Sequence, residues 1–429
     1  MKNNFEKYHR AVRYIESLPN IGQPDYMTAK SGRFLFLKRF EYFLKILGNP
    51  HKNLKYIHVG GSSGKGSVAM MIHSVLTESG HKSGVYTSPY STTPIEKIKV
   101  GNFLISPDEF ARLLDEIKPA IDIAYKKSPY GRPSWFEIYT ALAIMYFKQK
   151  KCDYAILEVG LGGRYDATNI IPAPVITVIN IIDYDHVDLL GKTLAGIARE
   201  KAAIIKPKTQ FFTTSKNDKK ILDIFRQACR NKKAEFNLVE QPTKCYRIGM
   251  LGEHQQRNAA LAAAACKKLG VSESKIVRGL KKAKMPCRLE IVRKNPLIIL
   301  DGAHNPSKMK TVTEVVKNLT YQKLYLIIAL TNERNAVQVF KEIHPLADYL
   351  FITRYESASR KCYPPLRLAK KLKFKKPTEI FLDPHMALEK AIRLAGKNDL
   401  ILVTGSFYLT GDLRKHWRGE EKVLQDRKI

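Results

Sequence analysis

The sequence predicts an α/β protein: a P-loop nucleotide-binding domain with a mostly parallel sheet, then a second, smaller Rossmann-like α/β domain. Three observations carry this. An apolar run, Tyr56-Ile57-His58-Val59, enters the glycine-rich stretch Gly60 to Ser67 and then a helix-like run, Val68 to Glu78. Two further buried β-runs end on carboxylates, at Glu158 and Asp183. Beyond residue 284, five apolar runs ending near Asp301, Ala329, Thr353, Leu382 and Thr404 alternate with helical stretches, the pattern of a parallel sheet. The expected division is 1–284 and 285–429.

Composition bounds the function classes. The chain has 429 residues, 44% of them hydrophobic, enough for two or three domains with ample cores. No apolar run approaches the ~18–20 residues that span a bilayer, and Met1 to Arg13 is polar, so a cytoplasmic protein without a membrane partner is expected. Six scattered cysteines form no C-x-x-C pair, which argues against a zinc site or a disulfide framework. The net charge is +33. A basic lineage, an acidic substrate or nucleic acid would each account for it. The lysines are spread along the chain without a basic arm, so nucleic acid is the least favoured of the three.

Taken in order, residues 1–53 read as accessory helices, because Phe34 to Leu47 carries apolar residues at helical spacing. In the loop that follows, Gly61, Ser62, Ser63, Gly64, Lys65, Gly66 and Ser67 are the candidate phosphate cradle. Glycines let backbone N–H groups turn to an anion, Lys65 brings a mobile cation, and the Ser67 hydroxyl can reach Mg²⁺. The spacing is not the usual G-x-x-x-x-G-K-[ST], since Val59 stands at the first glycine and Gly66 separates Lys65 from the hydroxyl.

Gly84 to Pro89 reads as a short strand and turn, and Ile95 to Val100 as an alternating strand. Ser106-Pro107-Asp108-Glu109 has a Ser cap, a first-turn Pro and early acids, so a helix opens there; Ser134-Trp135-Phe136-Glu137 opens another, reaching about Lys148. Asp153 to Glu158 is a buried run closing on a lone acid before Gly160-Leu161-Gly162-Gly163-Arg164. At the carboxyl end of a strand Glu158 would arrive beside the phosphate loop, where it suits a Mg²⁺ ligand better than a buried ion pair. Pro174 to Ile182 is the next strand, ending in Asp183-Tyr184-Asp185-His186. Thr193 to Pro207 reads as a helix stopped by proline, and an Ala-rich helix begins within Leu251 to Ala260.

These segments, in this order, resemble the Mur-type amide ligases, and within them the folylpolyglutamate synthase and dihydrofolate synthase branch. The matching stretches are G-x-x-G-K-G-S, Thr87-Ser88-Pro89 with Tyr90 in place of a histidine, and Ser134-Trp135-Phe136-Glu137. They continue through Gly162-Gly163-Arg164-Tyr165-Asp166-Ala167-Thr168-Asn169, Arg199-Glu200-Lys201-Ala202, Gly252 to Asn258, Arg288-Leu289-Glu290, Asp301-Gly302-Ala303-His304-Asn305-Pro306 and Thr404-Gly405-Ser406-Phe407-Tyr408-Leu409.

The resemblance implies an ATP-dependent ligase that adds L-glutamate to a folate or dihydropteroate carboxylate through an acyl phosphate, with two Mg²⁺ ions, working as a monomer. It implies catalytic roles for Lys65, Lys201, His186 and Arg288, and metal ligation by Ser67, Glu158, His186 and a carbamylated Lys201. Asn258, Arg288 and Asp301 would serve the nucleotide, Phe136 and Asp166 the pterin, and His304, Ser406 and Tyr408 the incoming glutamate. Without the resemblance, Phe136 is equally a core residue, His186 a surface histidine, Lys201 a helix-surface lysine and Asn258 a polar helix-start residue. Other classes also remain open at this point: a Mur-type ligase for another acid, a P-loop ATPase that grips nucleic acid, and a binding protein without catalysis.

Overall fold

The computed structural model describes residues 5–18, 34–184, 187–242, 245–332, 334–357 and 360–428. Two helices come first, α1 (Glu6–Ser17) and α2 (Phe34–Ile46). The phosphate-loop unit follows as β1 (Tyr56–Gly60) and α3 (Lys65–Glu78), then β2 (Ser83–Tyr86), β3 (Ile98–Val100) and β4 (Phe103–Leu104). Helices α4 (Pro107–Lys127) and α5 (Trp135–Gln149) lead to β5 (Tyr154–Glu158) and β6 (Ile176–Ile179). The unit closes with α6 (Val187–Leu190), α7 (Leu194–Ala202), β7 (Gln210–Thr214), α8 (Lys219–Lys232), β8 (Glu235–Val239), α9 (His254–Lys268) and α10 (Glu273–Lys282).

Eight strands form one sheet in the order β4-β3-β2-β5-β1-β6-β7-β8, parallel except where β3 meets β2 and β4. The register decides the site. Val59 of β1 lies opposite Glu158 of β5 on one side and Val178 of β6 on the other, so three strand ends open at one level. Every residue of β1 is buried, and α3 buries Val68, Met71, Ile72, Val75 and Leu76 against α9 and α10. Each such side chain contributes about 1.5–3 kcal/mol by leaving water. The phosphate loop therefore hangs between two fixed elements.

The other face carries α1, α4 and α5 in a second core. Both long helices start as their sequences predict: Ser106 and Ser134 each make a capping box, with Glu109 and Glu137 three residues on. Each cap is worth about 1 kcal/mol and fixes where its helix begins. Buried Arg39 donates to both oxygens of Glu137, which ties α2 to the start of α5.

The second sheet is built from β9 (Glu290–Lys294), β10 (Leu297–Leu300), β11 (Leu324–Ile328), β12 (Tyr349–Ile352), β13 (Thr378–Ile380) and β14 (Leu400–Thr404). Its order is β13-β12-β11-β14-β10-β9, with only β9 antiparallel to its neighbour. Helices α11 (Pro306–Lys317), α12 (Ala336–Phe340), α13 (Pro365–Leu372), α14 (Pro384–Leu394), α15 (Phe407–Arg414) and α16 (Glu420–Asp426) complete the chain. Pairing β10 beside β14 brings Asp301 and the 404–406 turn to one edge.

Four sequence expectations need correction. The five parallel runs are joined by β9, whose half-exposed residues give no apolar run. Pro94–Lys97 is a 3₁₀ turn, so the expected strand Ile95 to Val100 is halved; Pro94 at its start lacks an N–H, and the Glu96 carboxylate accepts from the backbone of Ser91 and Thr92. The strand read as Pro174 to Ile182 covers only Ile176–Ile179. Helix α7 stops at Ala202, well before Pro207. The chain also returns on itself: Val423 and Leu424 of α16 sit in the core of α1, α4 and α5, and Leu104 N–H donates to the Arg427 carbonyl at 2.8 Å.

Candidate active site

The loop between β1 and α3 needs glycine at two positions. Gly61 has φ +137° and Gly64 φ +72°, conformations that L side chains avoid. At Gly64 a Cβ would also lie 2.3 Å from Asn180 Nδ2 and 2.7 Å from Asn258 Oδ1. Those two asparagines are themselves joined, Nδ2 of Asn180 donating to Oδ1 of Asn258 at 2.7 Å. Asn258 then donates to Gln255 at 2.8 Å, and Gln255 reaches the Ser67 hydroxyl at 3.5 Å. A buried amide chain thus braces the loop from below. Asn180 and Gln255 were not singled out from the sequence; the only signals were a polar residue closing an apolar strand and a Gln within the segment that supplied Asn258.

Ser62 adds a second brace. Its hydroxyl donates to the Asp183 carbonyl at 2.8 Å and accepts the Asp183 N–H at 3.0 Å, pinning the loop to the end of the β6 segment. Lys65 donates to the Gly61 carbonyl at 3.1 Å.

Around this loop lies a cavity of about 100 Å³ whose walls come from both sheets. Ser62 to Ser67, Glu158, Gln255 and Asn258 face it from the first, and Arg288, Asp301 and Lys308 from the second part of the chain. Glu158 is buried and accepts the Ser88 N–H at 3.0 Å. Burial pushes its carboxyl up, opposed chiefly by the Lys65 ammonium and then by the Ser88 bond, Arg288 and Lys97. Asp301 is equally buried and raised by burial, with Arg288 the largest opposing charge. Its oxygens accept Leu289 N–H at 2.9 Å and Ala303 N–H at 2.8 Å, so it shapes the link into the second sheet. In that link Cys287 and Leu289 take φ of +53° and +50°, and Arg288 between them lies over the Phe407 ring at 5.0 Å.

Among the described residues no cluster of three metal-ligating side chains occurs. His186 and Asp185 lie outside the described residues, so the expectation for His186 is neither placed nor displaced. The donors present fit a hard cation: Glu158 is a buried carboxylate lining the same cavity as Ser67. Lys201 corrects the surface reading. It is 3% exposed, with Nζ 3.4 Å from the Gly162 carbonyl, and it lines the β5 loop rather than the cavity.

Phe136 and Asp166 meet on either side of Gly160, where a Cβ would touch Phe136 Cζ at 2.5 Å and Asp166 Oδ2 at 3.2 Å. The Asp166 carboxylate accepts from Leu161 N–H at 2.8 Å and from Thr168 N–H at 2.9 Å, which folds the 161–168 loop. A second, larger cavity of about 1000 Å³ opens between the sheets. Tyr90, Lys97, Trp135 and Tyr139 wall it on one side, and Tyr355, Phe407 and Tyr408 on the other. Tyr408 stacks on Tyr355 at 5.1 Å. Ser406 is buried and caps α15, accepting the Tyr408 N–H at 3.1 Å. His304 shares a hydrogen bond with the Gly302 carbonyl at 2.8 Å and another with Lys308 Nζ at 3.3 Å.

Known proteins place this arrangement. Residues 59–237 match the Mur ligase middle domain, and residues 287–407 the Mur ligase glutamate ligase domain. The dihydrofolate synthase/folylpolyglutamate synthase of Bacillus subtilis (strain 168) is 32% identical over 91% of this chain and 98% of its own length. The chain belongs to the folylpolyglutamate synthase/dihydrofolate synthase family. The crystal structure of folylpolyglutamate synthase from Thermotoga maritima superposes with a TM-score of 0.81 at 29% identity, covering 98% of this chain and 99% of that one. A Haloferax volcanii relative, whose name joins folylpolyglutamate synthase to dihydropteroate synthase, is 29% identical over 96% of this chain, and the chain spans about half of it, 50%. Family membership removes the nucleic-acid ATPase and the non-catalytic binder from the alternatives. No helix among the described residues is long and apolar enough to cross a membrane.

Proposed function

We propose that this chain is an ATP-dependent ligase that joins the amino group of L-glutamate to the carboxylate of a folate, extending tetrahydrofolate and converting dihydropteroate to dihydrofolate. The observation that carries the reading is the cavity in which a phosphate loop on one sheet faces Arg288, Asp301 and Lys308 from the other. A carboxylate accepts an amine poorly until one oxygen has become a phosphate leaving group. Transfer of the γ-phosphoryl needs cations around the spreading charge.

Lys65 and Arg288 supply that charge from opposite sides of the cavity. Ser67 and Glu158 would hold Mg²⁺, with His186 and a carbamylated Lys201 serving a second ion; bound there, the ions would neutralise phosphate oxygens. Carbamylation needs a neutral amine. Gly61 to Ser67 cradle the phosphates, Asn258 serves the adenine side and Asp301 steadies Arg288. Phe136 and Asp166 would take the pterin, and His304, Ser406 and Tyr408 the incoming glutamate. Two domains, 1–284 and 285–429, would close on ATP and acceptor before chemistry. The protein would work as a cytoplasmic monomer without nucleic acid, its +33 charge drawing acidic folates.

The test is product analysis. Tetrahydrofolate or dihydropteroate incubated with the protein, ATP, Mg²⁺ and L-glutamate should gain glutamyl units by mass spectrometry; acceptors that keep their mass would overturn the reading.

A further inference from the structure

Lys97 ends the 3₁₀ turn between Pro94 and β3 and is 2% exposed, yet it lines the large cavity. Four rings surround its ammonium, Tyr139 at 5.0 Å, Trp135 at 5.4 Å, Tyr90 at 5.6 Å and Tyr86 at 6.0 Å from their centroids. Among the described residues no carboxylate pairs with it. The nearby acids are otherwise engaged: Glu96 binds Arg414 and the 91–92 backbone, Glu137 binds Arg39, and Glu158, whose charge also acts on Lys97, accepts the Ser88 N–H and faces Lys65 and Arg288 more strongly. Burial lowers the ammonium to about 8, and it stays largely charged at neutral pH.

Ring faces soften the cost of a buried cation without neutralising it. A desolvated ammonium that opens on a cavity, with no carboxylate pairing with it among the described residues, is a place for a carboxylate ligand. We propose that Lys97 anchors the carboxylate of the acceptor, with Trp135, Tyr139 and Tyr90 walling its aryl segment. The proposal rests on the folate-ligase reading and adds a residue to it. Acceptor, not glutamate, is favoured by position. The cage is built wholly from the first sheet's side, and Ser88, which binds Glu158, precedes Tyr90 by two residues. Glu158, which lines the phosphate-loop cavity, is also the carboxylate whose charge acts on Lys97, so this cage lies on the phosphate-loop side of the large cavity.

The test uses the intact protein without ATP or glutamate, titrated with dihydropteroate and with its carboxamide while tryptophan fluorescence is followed; Trp135 is one of two tryptophans. The wild type should prefer the acid by about ten- to a hundredfold, the range of a charge-assisted hydrogen bond. Lys97→Met should lose that preference and Lys97→Arg keep it, both binding ADP as the wild type does, which shows the fold intact. A Lys97→Met protein that still prefers the acid overturns the proposal. So does a variant whose only defect is a raised KM for L-glutamate, because the carboxylate then belongs to the amino acid. If the wild type binds neither pterin, the folate reading fails by itself. Lys97 is then judged with 4-aminobenzoate against 4-aminobenzamide: a preference for the acid that Lys97→Met abolishes keeps the anchor, and no such preference removes it.

Discussion

Arg414, 1% exposed at the end of α15, donates to Glu96 of the first unit at 3.3 Å and to Glu290 of the second at 2.9 Å. The same guanidinium reaches the Thr92 hydroxyl at 2.8 Å, so one side chain from the last part of the chain holds the turn that carries Lys97. Gly411, a turn earlier, permits this approach: a Cβ there would lie 2.2 Å from the Ser91 carbonyl oxygen. Arg414→Met would strand Glu96 without its partner. Unfolding free energy should fall by about 3–5 kcal/mol in chemical denaturation, the usual cost of breaking a buried pair. The KM for acceptor should rise with it. Wild-type stability and KM would mean the contact does not tie the units together.

Gly64→Ala tests the loop. The added methyl meets the Asn180–Asn258 pair and holds a residue at φ +72°, which costs about 1–2 kcal/mol for the backbone alone. Affinity for ADP, measured by calorimetric titration, should drop by about five- to thirtyfold on that figure. Undiminished affinity would show that the loop tolerates a different path.

Glu158→Gln keeps shape and removes charge. ATP- and Mg²⁺-dependent amide formation should disappear while the fold, read by circular dichroism, is kept. Retained turnover would take Glu158 out of the metal site.

The pH dependence follows from Lys97. Its ammonium titrates at about 8, lowered by burial and only partly raised again by Glu158; the Tyr86, Tyr90 and Tyr139 hydroxyls, pushed up by burial, stay neutral. A group lowered in this way is charged below pH 8 and loses its charge above it. The KM for acceptor should therefore be flat below about pH 8 and rise by up to about tenfold per pH unit above it. In Lys97→Arg the rise should vanish; a wild-type profile flat to pH 9.5 would contradict the assignment.

Chemistry that depends on local order was legible in the sequence. The loop from Gly60 to Ser67, the Ser106 and Ser134 caps, and the strand ends at Glu158 and Asp301 each announce themselves within a few residues. What escaped is long-range. Asn180 and Asn258 meet across 78 residues, and the Lys97 cage draws on residues 86, 90, 135 and 139, which no periodicity links. Lys201 reads as exposed because its helix pattern says nothing of the Gly162 turn that covers it. Strand β9 was missed because an edge strand with one half-exposed face carries no apolar run.

The central claim is tested most directly by phosphate release from ATP and Mg²⁺ in the presence of L-glutamate, comparing dihydropteroate, tetrahydrofolate and no acceptor. The account predicts release that requires an acceptor and is supported by both. Release that neither acceptor stimulates would contradict it.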